Sequence, residues 1–306
     1  MNDLLIKVSQ KKQIILESIL QKFKSQNLQI KIGIELEFYL QSQGSAASKH
    51  QAAEFISNLK SEIKNYHIDV QDIDHEHGEG QIEIKTLPYS DIVKLCDDIN
   101  KIKQIAADLD PNLQINFSSL PYINDCGNAL QINFSLMSDD KYLFAKNGEE
   151  ESKYLLWSIS GALNNTRNII SVFAPTFEDY QRFDLALNRN LHLSKKYTSP
   201  VNISWGYDNR SALIRIPRTR NDETRRLEYR LGAASSDAQM MIIFFLLAVL
   251  DGIENKQQPI KAIYGNAFDE QYSLETLPNY LEALKAFQDN SLVNKLLLIL
   301  QQSKLD

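Results

Sequence analysis

Lys31-Ile32-Gly33-Ile34-Glu35-Leu36-Glu37-Phe38-Tyr39-Leu40 is the stretch that decides the reading of this chain. Ile32, Ile34, Leu36, Phe38 and Leu40 alternate with Lys31, Gly33, Glu35, Glu37 and Tyr39. A period of two marks a β-strand with one apolar and one polar face. It sets Glu35 and Glu37 side by side on the polar face. Like charges placed this way repel, so the pattern calls for a cation above them.

Three later segments repeat the alternation. Residues 81–85 put Gln81, Glu83 and Lys85 on one face, and residues 130–136 do the same for Gln131, Asn133 and Ser135. Arg226, Glu228 and Arg230 alternate with Leu227, Tyr229 and Leu231. Shorter strands are expected at 66–73, 113–117, 202–205 and 212–216, and an irregular stretch from Pro175 through 197. Apolar residues at helical spacing predict helices over 3–25, 49–65, 89–108 with Pro88 in the first turn, 151–171, 236–254 and 278–302. Strands in hairpin-like order with long helices between them give an α+β class, a mostly antiparallel, curved sheet flanked by helices. The expectation is a single domain over 1–306, with an N-terminal helix (1–28), a core carrying the alternating strands (29–255) and a C-terminal helical segment (256–306).

The bulk numbers exclude several classes. The chain has 306 residues, 43% of them hydrophobic, and a formal charge of −6, which gives no support to a nucleic-acid partner. The longest apolar run, Met240 to Leu250, is 11 residues, against the roughly 20 needed to span a bilayer. Met1 to Gln10 lacks the apolar core of a signal peptide. Cys96 and Cys126 are the only cysteines and fit no metal spacing, so a cytoplasmic location is expected.

The polar faces together offer Glu35, Glu37, Glu83, Gln131, Asn133, Arg226, Glu228 and Arg230, with Glu76 and Arg215 nearby. Carboxylate and amide oxygens without thiolates favour hard cations, Mg²⁺ or Mn²⁺. Arginines beside such a set suit phosphate or a substrate carboxylate. Metals and arginines around a polyphosphate make a phosphoryl-transfer site. No phosphate-cradling Gly-rich loop of the strand-to-helix kind is present.

Six blocks in order over roughly residues 30 to 255 resemble the glutamine synthetase family, whose catalytic-domain fold also occurs in glutamate–cysteine ligases. They are Gly33 to Phe38, Glu76 with Gly80 to Glu83, the Gly127 loop and its strand, Pro175 to Arg182, Asn209 to Pro217, and Arg225 to Arg230. The resemblance implies that Glu37, Glu76 and Glu83 hold one divalent ion, and Glu35, Gln131 and Glu228 another. It implies further that Gly127, Arg182 and Arg230 meet bound glutamate, and that Arg215 and Arg226 face the phosphates of ATP. Arg210 would lend charge to the transferred group, with Glu83 and Arg215 also at the reacting centre. Asn133 and Ser135 would lie near the nucleotide. The implied reaction is phosphorylation of the glutamate side-chain carboxylate by ATP, followed by displacement of phosphate by an amine.

The chain departs from the family pattern in four places. The metal-binding histidine falls at Gln131, and a second histidine near the nucleotide falls at Asn133. About 30 residues precede the first block, too few for the β-grasp domain, and the flap glutamate has no match in Asp184 to Asn190. Both missing carboxylates serve ammonium, so the expectation is a ligase for an amine other than ammonium, a monomer or small oligomer and not a dodecamer. A glutamate–cysteine ligase and a non-catalytic binder of nucleotide or amino acid remain open as alternatives.

Blander readings compete. Alternating acids on one strand are ordinarily a solvated face, and Glu83 and Glu228 also suit structural ion pairs. His75 and His77 flank Glu76 at a spacing that lacks the other ligands zinc wants, which reads as an exposed loop. Cys126 has no histidine partner to make it a nucleophile.

Overall fold

The alternating segment forms the middle of an interior strand in a ten-stranded sheet. The computed structural model describes residues 3–288 and 291–302, so the expectations at 1–2, 289–290 and 303–306 lie outside the described residues. In chain order the strands are β1 (Gln29–Ser42), β2 (Ser45–Ala46), β3 (Val70–His75), β4 (Gln81–Thr86), β5 (Gln114–Asn116), β6 (Ala129–Ser138), β7 (Lys141–Tyr142), β8 (Trp205–Tyr207), β9 (Ile214–Ile216) and β10 (Leu227–Ala233). The main path runs β3-β4-β1-β6-β10-β9-β8, with β2 and β5 added to β1 and β7 to β6. Every ladder is antiparallel except β8–β9.

The helices are α1 (Asp3–Gln10), α2 (Lys12–Ser25), α3 (Lys49–Asn65), α4 (Ile92–Asp108), α5 (Lys153–Phe173), α6 (Leu185–Leu193), α7 (Ala238–Glu254), α8 (Tyr280–Gln288) and α9 (Ser291–Gln302). The class is the expected α+β. α7 is apolar on nearly all sides and is buried along almost its whole length, as a helix without a polar face must be. It crosses α5 at Gly161 and Gly252, where a Cβ on either glycine would collide with backbone of the other helix. Phe245 of α7 then packs edge-on against Phe134 of β6 at 5.3 Å and, tilted, against Tyr229 of β10 at 5.4 Å. This fixes the apolar face of the sheet and leaves its other face to the charges. Among the described residues no helix is long and apolar enough to cross a membrane.

Several boundaries differ from expectation, each for a local reason. The helix over 3–25 breaks at Lys11 into α1 and α2. Pro88 does not start a helix, because Tyr89 exchanges backbone hydrogen bonds with Ile32. Asp91 then caps α4 by accepting from Lys94 N at 3.0 Å. The strand expected at 66–73 begins only at Val70, after His67 turns with a positive φ. Within 175–197 lie a 3₁₀ turn (Glu178–Phe183) and α6. The strand at 202–205 shifts to β8, because Asn202 makes an isolated bridge to Thr276 instead. The last expected helix is two, α8 and α9.

Candidate active site

Strand register assembles the charged residues. Across β1–β4, Glu35 faces Lys85 and Glu37 faces Glu83. Across β1–β6, Glu35 faces Gln131 and Gly33 faces Asn133. Glu228 of β10 faces Asn133 on one side and Arg215 of β9 on the other. Because alternate residues share a face, this row stands together while Leu36, Ile84, Ile132 and Tyr229 turn into the core. Glu76 joins it from the loop after β3.

The row floors a cleft of about 600 Å³ that also includes Glu76, Gly127, Arg182, Arg210, Arg215, Arg226 and Arg230. A second cavity of about 670 Å³ opens beside it, lined by Asn133 and Ser135 with Lys31, Tyr142 and Thr224. Glu35, Lys85 and Arg226 line both. Every residue singled out in the sequence therefore borders one of two adjoining spaces.

The carboxylates are held close against their own repulsion. Burial, then Glu83 and then Glu76 push the Glu37 carboxyl well above its ordinary range. Burial and Glu76 likewise raise Glu83, and burial and Glu83 raise Glu35. Glu228 is raised by burial and by Glu35. Burial opposes the charge of Lys85, yet its bond to Glu83 and the nearby Glu35 and Glu76 keep that charge above its ordinary range. Glu37 accepts hydrogen bonds from Ala129 N at 2.9 Å and Gln131 Nε2 at 2.8 Å.

The arginines divide into two kinds. Arg182, 2% exposed, donates to the backbone carbonyls of Asn128 (3.0 Å), Arg230 (3.3 Å) and Leu231. Burial brings its pKa down to about 10. Arg230 donates to Ala212 O (3.2 Å), Thr198 O (3.1 Å) and Arg210 O. Both border the cleft, with most of their donors spent on backbone carbonyls of β10 and of the loops beside it. Arg215 bonds Glu228 at 3.0 Å and Asp208 at 2.6 Å. Among the described residues Arg226 donates only Nε, to Asn133 at 2.7 Å, which leaves its two outer nitrogens without a partner there. Its neighbour Arg225 turns away to a bidentate pair with Glu151 (2.7 and 2.9 Å). Arg210 lies over the Tyr197 ring at 4.4 Å. Gly127 has its own packing reason to be glycine, since a Cβ there would sit 2.7 Å from Ser119 O.

Some of the lining was not anticipated. Tyr197, Thr198, Ser199 and Arg218 border the cleft. Tyr197 sits in a stretch read as irregular, with no periodic signal to mark it. Arg218 lay within reach, one residue beyond the Asn209 to Pro217 block. His77 is exposed as expected, but its ring lies tilted against that of Tyr197, with centroids 3.6 Å apart. Cys126 is buried, with its thiol pushed up to about 11 by burial and nearby acids, so it is unsuited to nucleophilic work. Asp184 spends its carboxylate capping α6, accepting from Leu187 N at 2.7 Å. The wall that follows, Tyr197 to Pro200, presents no acid to the cleft.

The donor set fits a hard divalent cation. It consists of oxygen atoms, and the Gln131 Oε1 carbonyl is buried with no partner, a cost that a cation would remove. Among the described residues no three acidic, imidazole or thiol side chains meet closely enough to hold an ion as they stand.

Comparisons with known proteins bear on the family and the fold. A glutamine synthetase from Pyrococcus horikoshii is 28% identical over 306 residues, covering 92% of this chain and 66% of that relative, so the chain spans slightly less than two thirds of its length. A glutamine synthetase from Clostridium saccharobutylicum is 31% identical over 234 residues, 73% of this chain and 50% of its own. A solved GmaS/ADP complex superimposes with a TM-score of 0.80 at 24% identity, over 92% of this chain and 69% of that one, a likeness of fold. With the family model of the glutamine synthetase catalytic domain matching residues 12–303, the chain belongs to that family.

Proposed function

We propose that the chain is an ATP-dependent carboxylate–amine ligase that phosphorylates the side-chain carboxylate of glutamate or a similar acid and transfers the acyl group to an amine other than ammonium. The observation that carries this is the single cleft in which acids from β1, β4 and β10, with Gln131 of β6, face arginines from β9 and β10. A transferring phosphoryl group needs both kinds of neighbour, one to hold cations and one to meet its anionic oxygens.

Glu35, Glu37, Glu76, Glu83, Gln131 and Glu228 would hold Mg²⁺ or Mn²⁺, which when bound neutralises phosphate charge and orients the polyphosphate. The second cavity suits the nucleoside end of ATP, with Asn133 and Ser135 on its wall. Lys85 and Arg226 stand where the two spaces meet, the position for the phosphates. Arg226 has two guanidinium nitrogens free for them, and Arg215, fixed by Glu228 and Asp208, lies on the same side. Arg210 reaches the cleft from the rim and adds positive charge opposite the acids. The acid substrate would lie by Gly127, Arg182 and Arg230, with the free Nε of Arg182 and the backbone they pin as its recognition surface. Its carboxylate, held near the phosphates, attacks the terminal phosphorus to give an acyl phosphate and ADP. The amine then attacks the acyl carbon, and phosphate leaves. Holding the reactants in one cleft supplies much of the rate. The absence of an acid on the Tyr197 to Pro200 wall supports an amine that needs no carboxylate to deprotonate an ammonium ion.

Phosphate release should depend on ATP, Mg²⁺, glutamate and at least one amine from a panel that includes cysteine and ammonium. Preference for cysteine would make the chain a glutamate–cysteine ligase, and fastest turnover with ammonium would overturn the choice of amine. A second reading, a non-catalytic binder, is favoured by the commitment of Arg182 and Arg230 to backbone carbonyls. It predicts nucleotide binding by calorimetry with no turnover across the panel.

A further inference from the structure

Among the described residues of the stretch 218–226 only Arg225 is buried. What anchors it is an ion pair, not apolar packing. Its two outer nitrogens bond Glu151 at 2.7 and 2.9 Å, and one of them also donates to Phe144 O at 2.8 Å. Glu151 accepts in addition from Tyr207 Oη at 2.6 Å and from Ser152 N at 2.9 Å. Burial opposes the charge on Glu151, but the bonds from Arg225 and Tyr207 hold its carboxyl below the ordinary range. The clamp joins two walls of the second cavity. Tyr142 lines that cavity two residues before the Phe144 carbonyl, and Thr224 and Arg226 line it on either side of Arg225.

We infer that Glu151, acting through Arg225, is a positioning residue that keeps Arg226 aimed at the junction of the two cavities, where it meets the phosphates of the nucleotide. The inference rests on the proposed reading for where the nucleotide lies, but not on turnover. Arg225 has extended backbone, φ −66° and ψ 132°, and successive side chains of an extended segment point to opposite sides. Clamping Arg225 on the far side therefore turns Arg226 toward the cleft. A two-pronged guanidinium–carboxylate bond fixes orientation as well as place, which a single hydrogen bond does not. Arg226 itself has one such single bond, from Nε to Asn133, so its direction depends on the backbone that its neighbour holds. A guanidinium already aimed loses less freedom when the anion arrives.

The test is a double-mutant cycle on the full chain, read by calorimetry of ADP binding in excess Mg²⁺, with thermal unfolding measured alongside. Glu151→Gln should weaken ADP binding roughly tenfold, within the range for coupled neighbours. Arg226→Ala should weaken it at least as much. Adding Glu151→Gln to Arg226→Ala should cost less than about twofold more, because the side chain it aims is gone. Arg225→Lys keeps the charge without the fork, and should weaken ADP binding in the same direction. It replaces Glu151→Gln in the cycle should that variant fail to fold. Losses that simply add, or ADP binding unchanged in the folded variant while its melting temperature falls, would overturn the inference and leave the pair a structural one. A wild type that binds no ADP would overturn the inference and the ligase together. An intact cycle without phosphate release would overturn the ligase alone.

Discussion

Gln131 donates its amide to Glu37 at 2.8 Å while its own carbonyl oxygen, on the same buried strand face, finds no donor. Leaving such an acceptor dry costs on the order of 1–3 kcal/mol, and Glu37 adds a charge that its neighbours repel. Both residues would gain from a cation that neither supplies.

Divalent ions should therefore stabilise the protein. Adding Mg²⁺ or Mn²⁺ at neutral pH raises the melting temperature, and a chelator reverses it, because an ion bound only by the folded chain shifts the equilibrium by mass action. Glu83→Gln should leave the fold intact and weaken metal-dependent nucleotide binding by roughly tenfold or more. Unchanged binding, measured calorimetrically, removes Glu83 from the site.

Glu37→Gln should raise the stability of the metal-free protein. Burial and the neighbouring Glu83 and Glu76 hold the folded pKa of Glu37 well above its ordinary value of 4.5, so the native state holds this proton more tightly than the unfolded chain. The stabilising contribution is complete below that value and is lost as pH rises through the folded pKa. Removing the charge should thus gain a few degrees in melting temperature at pH 7–8, shrinking to nothing toward pH 4.5. The partners can be kept, since glutamine accepts from Ala129 N and its amide can donate to a flipped Gln131. A loss of stability at neutral pH would show that the hydrogen bonds outweigh the repulsion.

Arg226→Ala should spare the fold and lower phosphate release by roughly 10² to 10³, the usual scale for one electrostatic partner of a transition state. Its guanidinium has two nitrogens uncommitted and one hydrogen bond to lose. A loss confined to protein stability would show that it serves Asn133 alone.

Arg182→Ala should behave in the opposite way. Three carbonyls accept from that side chain, and stranding buried acceptors costs about 1–3 kcal/mol each. Denaturant unfolding should register a loss of several kcal/mol, comparable to the about 3–5 kcal/mol expected for the core substitution Phe245→Ala. A variant as stable as the wild type, with only the Michaelis constant for the acid raised, would make Arg182 a substrate contact first.

The alternation of Glu35 and Glu37 with Leu36 and Phe38 was enough to read the face of each strand, since that depends on nearest neighbours alone. Which strands lie side by side was not legible, because pairing Glu35 with both Lys85 and Gln131 needs segments far apart in sequence. The resemblance supplied that long-range information. Neither source gave the direction of the guanidiniums. Arg225 and Arg226 are adjacent, yet only one enters the cleft, and Arg182 and Arg230 spend their donors on carbonyls whose positions exist only in the fold. Helix boundaries failed where tertiary contacts intervened, as at Tyr89, taken by Ile32. α6 lay hidden because its nine residues are too few to establish a period.

The meeting of Gly161 with Gly252 bears on how the cleft adapts to its contents. Where two helices touch main chain to main chain, no side chain lies between them to rotate or compress, so the layer beneath Phe245 and the sheet has nowhere to retreat. On the proposed ligase reading, room for a bulkier amine would come from above, at the Tyr197 ring, which meets His77 at 3.6 Å and Arg210 at 4.4 Å. A larger substrate would thus be felt first as a displaced aromatic ring at the entrance.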